Sequence, residues 1–110
     1  MKHATSRRSV RLSEEIMREL ANMLAEEVQD PRLELVTVSG VRLNADISVA
    51  EVYITYSAER HPREDVDKAL EKAKGFLRTR LGKRLKLRKV PELRFRFDDF
   101  LETMVYEHPE

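Results

Sequence analysis

Leu12, Ile16, Leu20, Met23, Leu24 and Val28 recur at three- and four-residue steps, with Glu14, Arg18, Glu26 and Glu27 between them. That spacing predicts an amphipathic helix over about residues 6–28. Ser6, Ser9 and Ser13 are each candidate N-caps. Asp30-Pro31 ends the helix, because a proline disfavours the α conformation in the residue before it. Leu33 to Leu43 is rich in apolar and β-branched residues and reads as a strand, with Gly40 marking a bulge or a close backbone approach. Asn44-Ala45-Asp46 is turn chemistry. Ile47 to Ser57 reads as a second strand, with Ala50, Val52, Ile54 and Tyr56 on one face and Val49, Glu51, Tyr53 and Thr55 on the other. The short link makes the two an antiparallel hairpin.

Pro62 suits a helix start. Glu64, Asp65 and Asp67 follow it, where the helix dipole favours acids. Val66, Ala69, Leu70, Ala73, Leu77, Leu81 and Leu85 then form a second helical stripe. Gly75 lies in its middle and costs a helix about 1 kcal/mol against alanine. The segment therefore reads as two short helices, or one bent helix, about Ala73-Lys74-Gly75, with Gly82 a further break or cap. After Val90-Pro91-Glu92, the run Leu93-Arg94-Phe95-Arg96-Phe97 alternates cleanly. Leu93, Phe95 and Phe97 face the core, and Arg94 and Arg96 face outward. The expected order is helix, strand, strand, kinked helix pair, strand. A helical crossover makes the last two strands parallel and right-handed. The fold class is α+β, a three-stranded sheet with helices on one face.

Composition narrows the function. The chain has 110 residues, of which 41% are hydrophobic and 37% charged. This suits one domain, expected over residues 1–98, and residues 99–110 form an acidic tail expected to be flexible. The apolar content and a net charge of +1 argue against intrinsic disorder. No apolar run is long enough for a membrane span, and the first 30 residues lack the pattern of a secretory leader. There is no cysteine, so disulfides, zinc thiolates and cysteine nucleophiles are excluded, and a cytoplasmic location is the simplest expectation.

The small net charge conceals a strong asymmetry. Residues 1–18 carry +3, 19–71 carry −7, 72–96 carry +10 and 97–110 carry −5. Ten net positive charges within 25 residues create the potential expected of a polyanion binder. A solvated helix face balanced by acids elsewhere is the plain alternative.

Several segments together resemble the ribosome-binding factor A family. They are Asp30-Pro31-Arg32-Leu33 followed by Val36-Thr37-Val38, and Asp46-Ile47-Ser48-Val49-Ala50-Glu51-Val52-Tyr53-Ile54. Further along come Gly75-Phe76-Leu77-Arg78, Leu81-Gly82-Lys83, and Leu87-Arg88-Lys89-Val90-Pro91-Glu92-Leu93. The resemblance spans about Arg7 to Asp98 and rests on the order and spacing of these fragments. It implies a type II KH-like domain that binds the free immature 30S small ribosomal subunit and its 16S rRNA. It also implies support of late rRNA processing, a role in cold adaptation, and release with the help of an assembly GTPase. KH domains clamp nucleotides with a GxxG loop. Here Ala73-Lys74-Gly75 fits the Ala-x-Gly kink that this family uses instead, so binding is expected through a basic surface.

That surface is expected to comprise Lys74, Arg78, Arg80, Lys83, Arg84, Lys86, Arg88 and Lys89, extended by Arg7, Arg8 and Arg11. Other chemistry is set aside. His3, His61 and His108 are isolated, without metal-ligand spacing. Asp98-Asp99 are neighbours that point apart on a strand end. No nucleophile elbow or phosphate loop is present. Phe95 and Phe97 read as core, and Tyr53 as sheet packing. No catalytic residue, cofactor or metal is expected, and a monomer with no membrane partner is. The competing function is a protein–protein adaptor whose basic helix docks an acidic partner. The dense cations from Lys72 to Lys89, without interleaved acids, favour RNA, because protein interfaces are depleted in lysine.

Overall fold

Ser6 starts the first helix, α1 (Arg7–Glu26), by accepting a hydrogen bond from the Ser9 N–H at 3.1 Å. This computed structural model describes residues 6–98. The expected tail, 99–110, and the first five residues lie outside them. After α1, Asp30 caps a single 3₁₀ turn, Pro31–Leu33. Strands β1 (Thr37–Leu43) and β2 (Val49–Thr55), helix α2 (Arg63–Arg84) and strand β3 (Glu92–Phe97) follow.

The sheet order is β1-β2-β3. β1 and β2 are antiparallel, with Val41 opposite Val52; β2 and β3 are parallel, with Val52 opposite Phe95. The register slips between Val38 and Gly40, so the bulge expected at Gly40 is present. α1 packs on β1 and α2 on β3. The buried core joins Ile16, Leu20, Met23 and Leu24 of α1 to Val66, Ala69, Leu70, Leu77 and Leu81 of α2. Between the helices and the sheet lie Val38, Leu43, Ala50, Val52, Ile54, Leu93 and Phe95. Fully burying each of the larger residues contributes about 1.5–3 kcal/mol. The other sheet face carries Arg42, Glu51, Tyr53, Thr55, Arg94 and Arg96, none of them buried.

Four expectations change. The first strand starts at Thr37, not Leu33, because Pro31 and the Asp30 side chain favour a turn there, and Leu33 is buried within it. Ile47 belongs to the hairpin loop, with φ of 60°. Asn44 holds that loop: its side chain accepts from the Val49 N–H at 2.8 Å and its carbonyl accepts from the Ile47 N–H at 3.0 Å.

The third change concerns the expected helix pair. Ala73, Lys74 and Gly75 lie inside one helix that runs unbroken from Arg63 to Arg84. Val66, Ala69, Leu70, Ala73, Leu77 and Leu81 form one continuous buried stripe across the glycine, and that burial outweighs the propensity cost. Gly75 itself is exposed, and a Cβ there would meet nothing within 4 Å. The fourth concerns Gly82, which neither breaks nor caps α2. It sits in the last turns, where a Cβ would stand 2.7 Å from Val90 Cγ2.

Candidate nucleic-acid interface

Acids at the start of α2 (Glu64, Asp65) and bases at its end (Lys83, Arg84) complement the helix dipole. The helix therefore ends in positive charge. Its last turn closes with the Leu87 N–H on the Gly82 carbonyl at 3.0 Å and the Leu85 N–H on the Leu81 carbonyl at 3.0 Å. Lys86 stands between them with φ of 53°. The pattern is a Schellman closure with lysine where glycine is usual. The chain turns back at once, and Lys83, Lys86, Arg88 and Lys89 are exposed around the turn. Among the described residues, none of these four enters an ion pair. At Glu92 the chain joins the sheet, and the Glu92 N–H donates to the Ser48 carbonyl at 2.9 Å. The hairpin loop is thus a neighbour of the basic turn. Ser48 hydrogen bonds hold the Asp46 carboxyl below its ordinary range, and the charge of Lys89 adds a smaller push in the same direction.

α1 lies against the same end of α2. Arg84 meets Glu19 of α1 at 3.5 Å and Glu27, the residue that caps α1, at 2.5 Å. Glu15, Arg18 and Glu19 line a shallow depression with Arg84, Leu85 and Lys86, whereas Val28, Gln29 and Asp30 lie beside Ala69 and Ala73. Arg7 and Arg8 lie in the first turns of α1; Arg7 is exposed and Arg11 is 3.7 Å from Glu15 in an i,i+4 pair with its side chain mostly in solvent.

The other expected phosphate ligands have partners. Arg78 donates from Nε to the Pro91 carbonyl at 3.2 Å and from Nη2 to the Val90 carbonyl at 3.0 Å. Arg84 is held by Glu27 and Glu19, and the Glu27 hydrogen bond, first of its causes, raises its pKa. Lys74 pairs with Glu71 at 2.6 Å and lies 5.8 Å from the centre of the Phe95 ring, away from the helix end. The Arg80 guanidinium lies 5.1 Å from the centre of the exposed Phe76 ring. No local pattern in the sequence marks Arg78 or Arg84 as already engaged, because the partners that hold them lie 12 residues away or more.

A second group of arginines, on the open sheet face, is largely compensated. Arg96 lies 3.3 Å from Glu51, Arg94 lies 3.3 Å from Glu92, and the Arg42 guanidinium sits 5.7 Å from the Tyr53 ring centre. Among the described residues no group of three or more His, Asp or Glu could hold a metal ion, and no helix is long and apolar enough to cross a membrane. His61 lies against Glu34, at 3.8 Å, and Arg60 approaches the same carboxylate at 3.5 Å. His3 and His108 lie outside the described residues, as does the Asp99 half of the Asp98-Asp99 pair.

The family described as Ribosome-binding factor A matches residues 8–107. The chain belongs to the ribosome-binding factor A family. A Staphylococcus carnosus (strain TM300) ribosome-binding factor A is 41% identical over 95 residues, covering 86% of this chain and 83% of that protein. The crystal structure of ribosome-binding factor A from Thermus thermophilus superposes with a TM-score of 0.72 at 34% identity, covering 80% of this chain and 93% of that one. A homology model of the Thermus thermophilus factor, fitted into the cryo-EM map of a 30S complex, gives a TM-score of 0.57 at 38% identity over 76% of this chain and 92% of that one. The α+β, KH-like class expected for this family is the fold found here.

Proposed function

We propose that this chain binds the free, immature small ribosomal subunit and contacts 16S rRNA phosphates through Lys83, Lys86, Arg88 and Lys89, with Arg7, Arg8 and Arg80 alongside. The observation that carries this reading is the turn after α2. Four cations stand exposed there without ion-pair partners among the described residues, in a family with a relative fitted into a 30S complex. Cations in that state neutralise phosphates and release counterions, which gives sequence-independent affinity. An acidic protein partner fits the same sign of charge, but lysine-rich surfaces are poor protein interfaces.

The factor acts by occupancy. It favours one rRNA arrangement by its differential affinity for that state, and other enzymes cut the precursor. Support of late 16S maturation in the cold, and release by a GTPase, belong to the same reading. Co-sedimentation with purified small and large subunits across a salt series tests it. Binding to small subunits that falls steeply with salt is expected. Salt-insensitive binding, or equal binding to both subunits, contradicts it.

A further inference from the structure

We propose that Arg78 is a positioning residue for the basic turn rather than a phosphate ligand, an assignment that rests on the RNA-binding reading above. Four cations on a loose loop would lose conformational entropy on binding; a loop already held in place loses less. The loop from Leu85 to Pro91 is held from three directions. The Schellman closure fixes its start, with the Leu87 N–H on the Gly82 carbonyl. Val90 fits against the bare Cα of Gly82. Arg78, one turn before Gly82 on α2, spends two guanidinium donors on the carbonyls of Val90 and Pro91.

Those two carbonyls belong to consecutive residues, and they match the planar, forked spacing of arginine donors. A lysine ammonium offers one compact charge and cannot reproduce the fork. Nor is the Arg78 charge spent on a carboxylate: both bonds go to neutral carbonyl oxygens. The geometry of Lys86, Arg88 and Lys89 therefore depends on this fork through Val90 and Pro91.

Charge and position separate in the experiment. Affinity for purified small subunits is measured against salt for the wild type, Arg78→Lys, Arg78→Ala and Lys89→Ala. A phosphate ligand such as Lys89 should lower the salt slope by roughly 0.7–0.9 when removed. Arg78→Lys and Arg78→Ala should both weaken binding about tenfold, the scale of losing hydrogen bonds from a charged donor, with the slope unchanged. Arg78→Lys matching the wild type while Arg78→Ala loses a full phosphate's worth of slope would make Arg78 a ligand and overturn the proposal. So would full affinity in Arg78→Ala.

A second readout does not depend on RNA. In the free protein, amide hydrogen exchange at Leu87 and in the flanking loop should speed up in Arg78→Lys, with the core amides of β2 unaffected. Unchanged exchange in the loop overturns the positioning role. Loss of salt-dependent subunit binding in the wild type would instead overturn the RNA-binding reading, while the exchange result still decides what Arg78 does.

Discussion

Val90 occupies the space that a side chain at Gly82 would fill: a Cβ built on Gly82 would stand 2.7 Å from Val90 Cγ2. Val90 is β-branched and followed by Pro91, so neither its rotamer nor its backbone yields easily. Gly82→Ala gains about 1 kcal/mol of helix propensity but meets an overpacking penalty of about 1–3 kcal/mol. Net destabilisation in urea unfolding is expected. In the double variant Gly82→Ala/Val90→Ala the alanine at 82 should become neutral or stabilising. A Gly82→Ala protein more stable than the wild type would show that the contact is slack.

Gly75 should behave in the opposite way. It is exposed in the middle of α2, with open space where a Cβ would go. Gly75→Ala should stabilise the domain by about 1 kcal/mol, which for a chain of this size raises Tm by roughly 4–8 °C. A fall in Tm would mean that the helix needs the glycine for a bend.

Asp30 accepts from the Arg32 backbone N–H at 3.0 Å, from Nε at 3.1 Å and from Nη2 at 2.7 Å. The side-chain bonds from Arg32, with the backbone bond and charge behind them, lower its pKa from 3.8 to about 2. A carboxyl lowered in the folded state stabilises fully above its unfolded pKa and loses that contribution as pH falls through the folded value. The wild type should therefore lose stability relative to Asp30→Asn between about pH 4 and pH 2. The gap between the two should be constant at neutral pH. A gap unchanged down to pH 2 would show that the pair adds nothing on protonation.

Lys86 gives stability and binding opposite signs. Its φ of 53° is left-handed backbone that costs a side-chain-bearing residue about 1 kcal/mol. Lys86→Gly should raise stability by up to about that amount while weakening small-subunit binding through the lost cation. Stability and binding rising together would remove Lys86 from the interface.

The elements were legible because each of them obeys one period. The stripe from Leu12 to Val28 and the alternation from Leu93 to Phe97 dictate a helix and a strand whatever lies around them. The bulge at Gly40 and the parallel pairing of β2 with β3 followed from one glycine and one helical connection. The failures came where a local signal met tertiary packing. Gly75 reads as a break, but the apolar stripe continues past it and the helix follows the stripe. The candidate surface was legible as charge and not as geometry. Composition cannot tell a lysine left open to solvent, such as Lys83, from an arginine that holds two carbonyls, such as Arg78, or one that ties two helices together, such as Arg84.

A basic turn that meets ribosomal RNA must carry most of the affinity and most of its salt dependence. The direct measurement is the affinity for purified small subunits, at one fixed salt concentration and again across a salt series. It compares the wild type with Lys83→Ala/Lys86→Ala/Arg88→Ala/Lys89→Ala and with a control, Lys68→Ala, on the exposed side near the start of α2. The control should bind like the wild type. The quadruple variant, folded by circular dichroism, should lose most of its affinity and about 3 units of salt slope, four contacts at roughly 0.7–0.9 each. Retention of both affinity and slope in the quadruple variant would contradict an RNA-binding role for this turn.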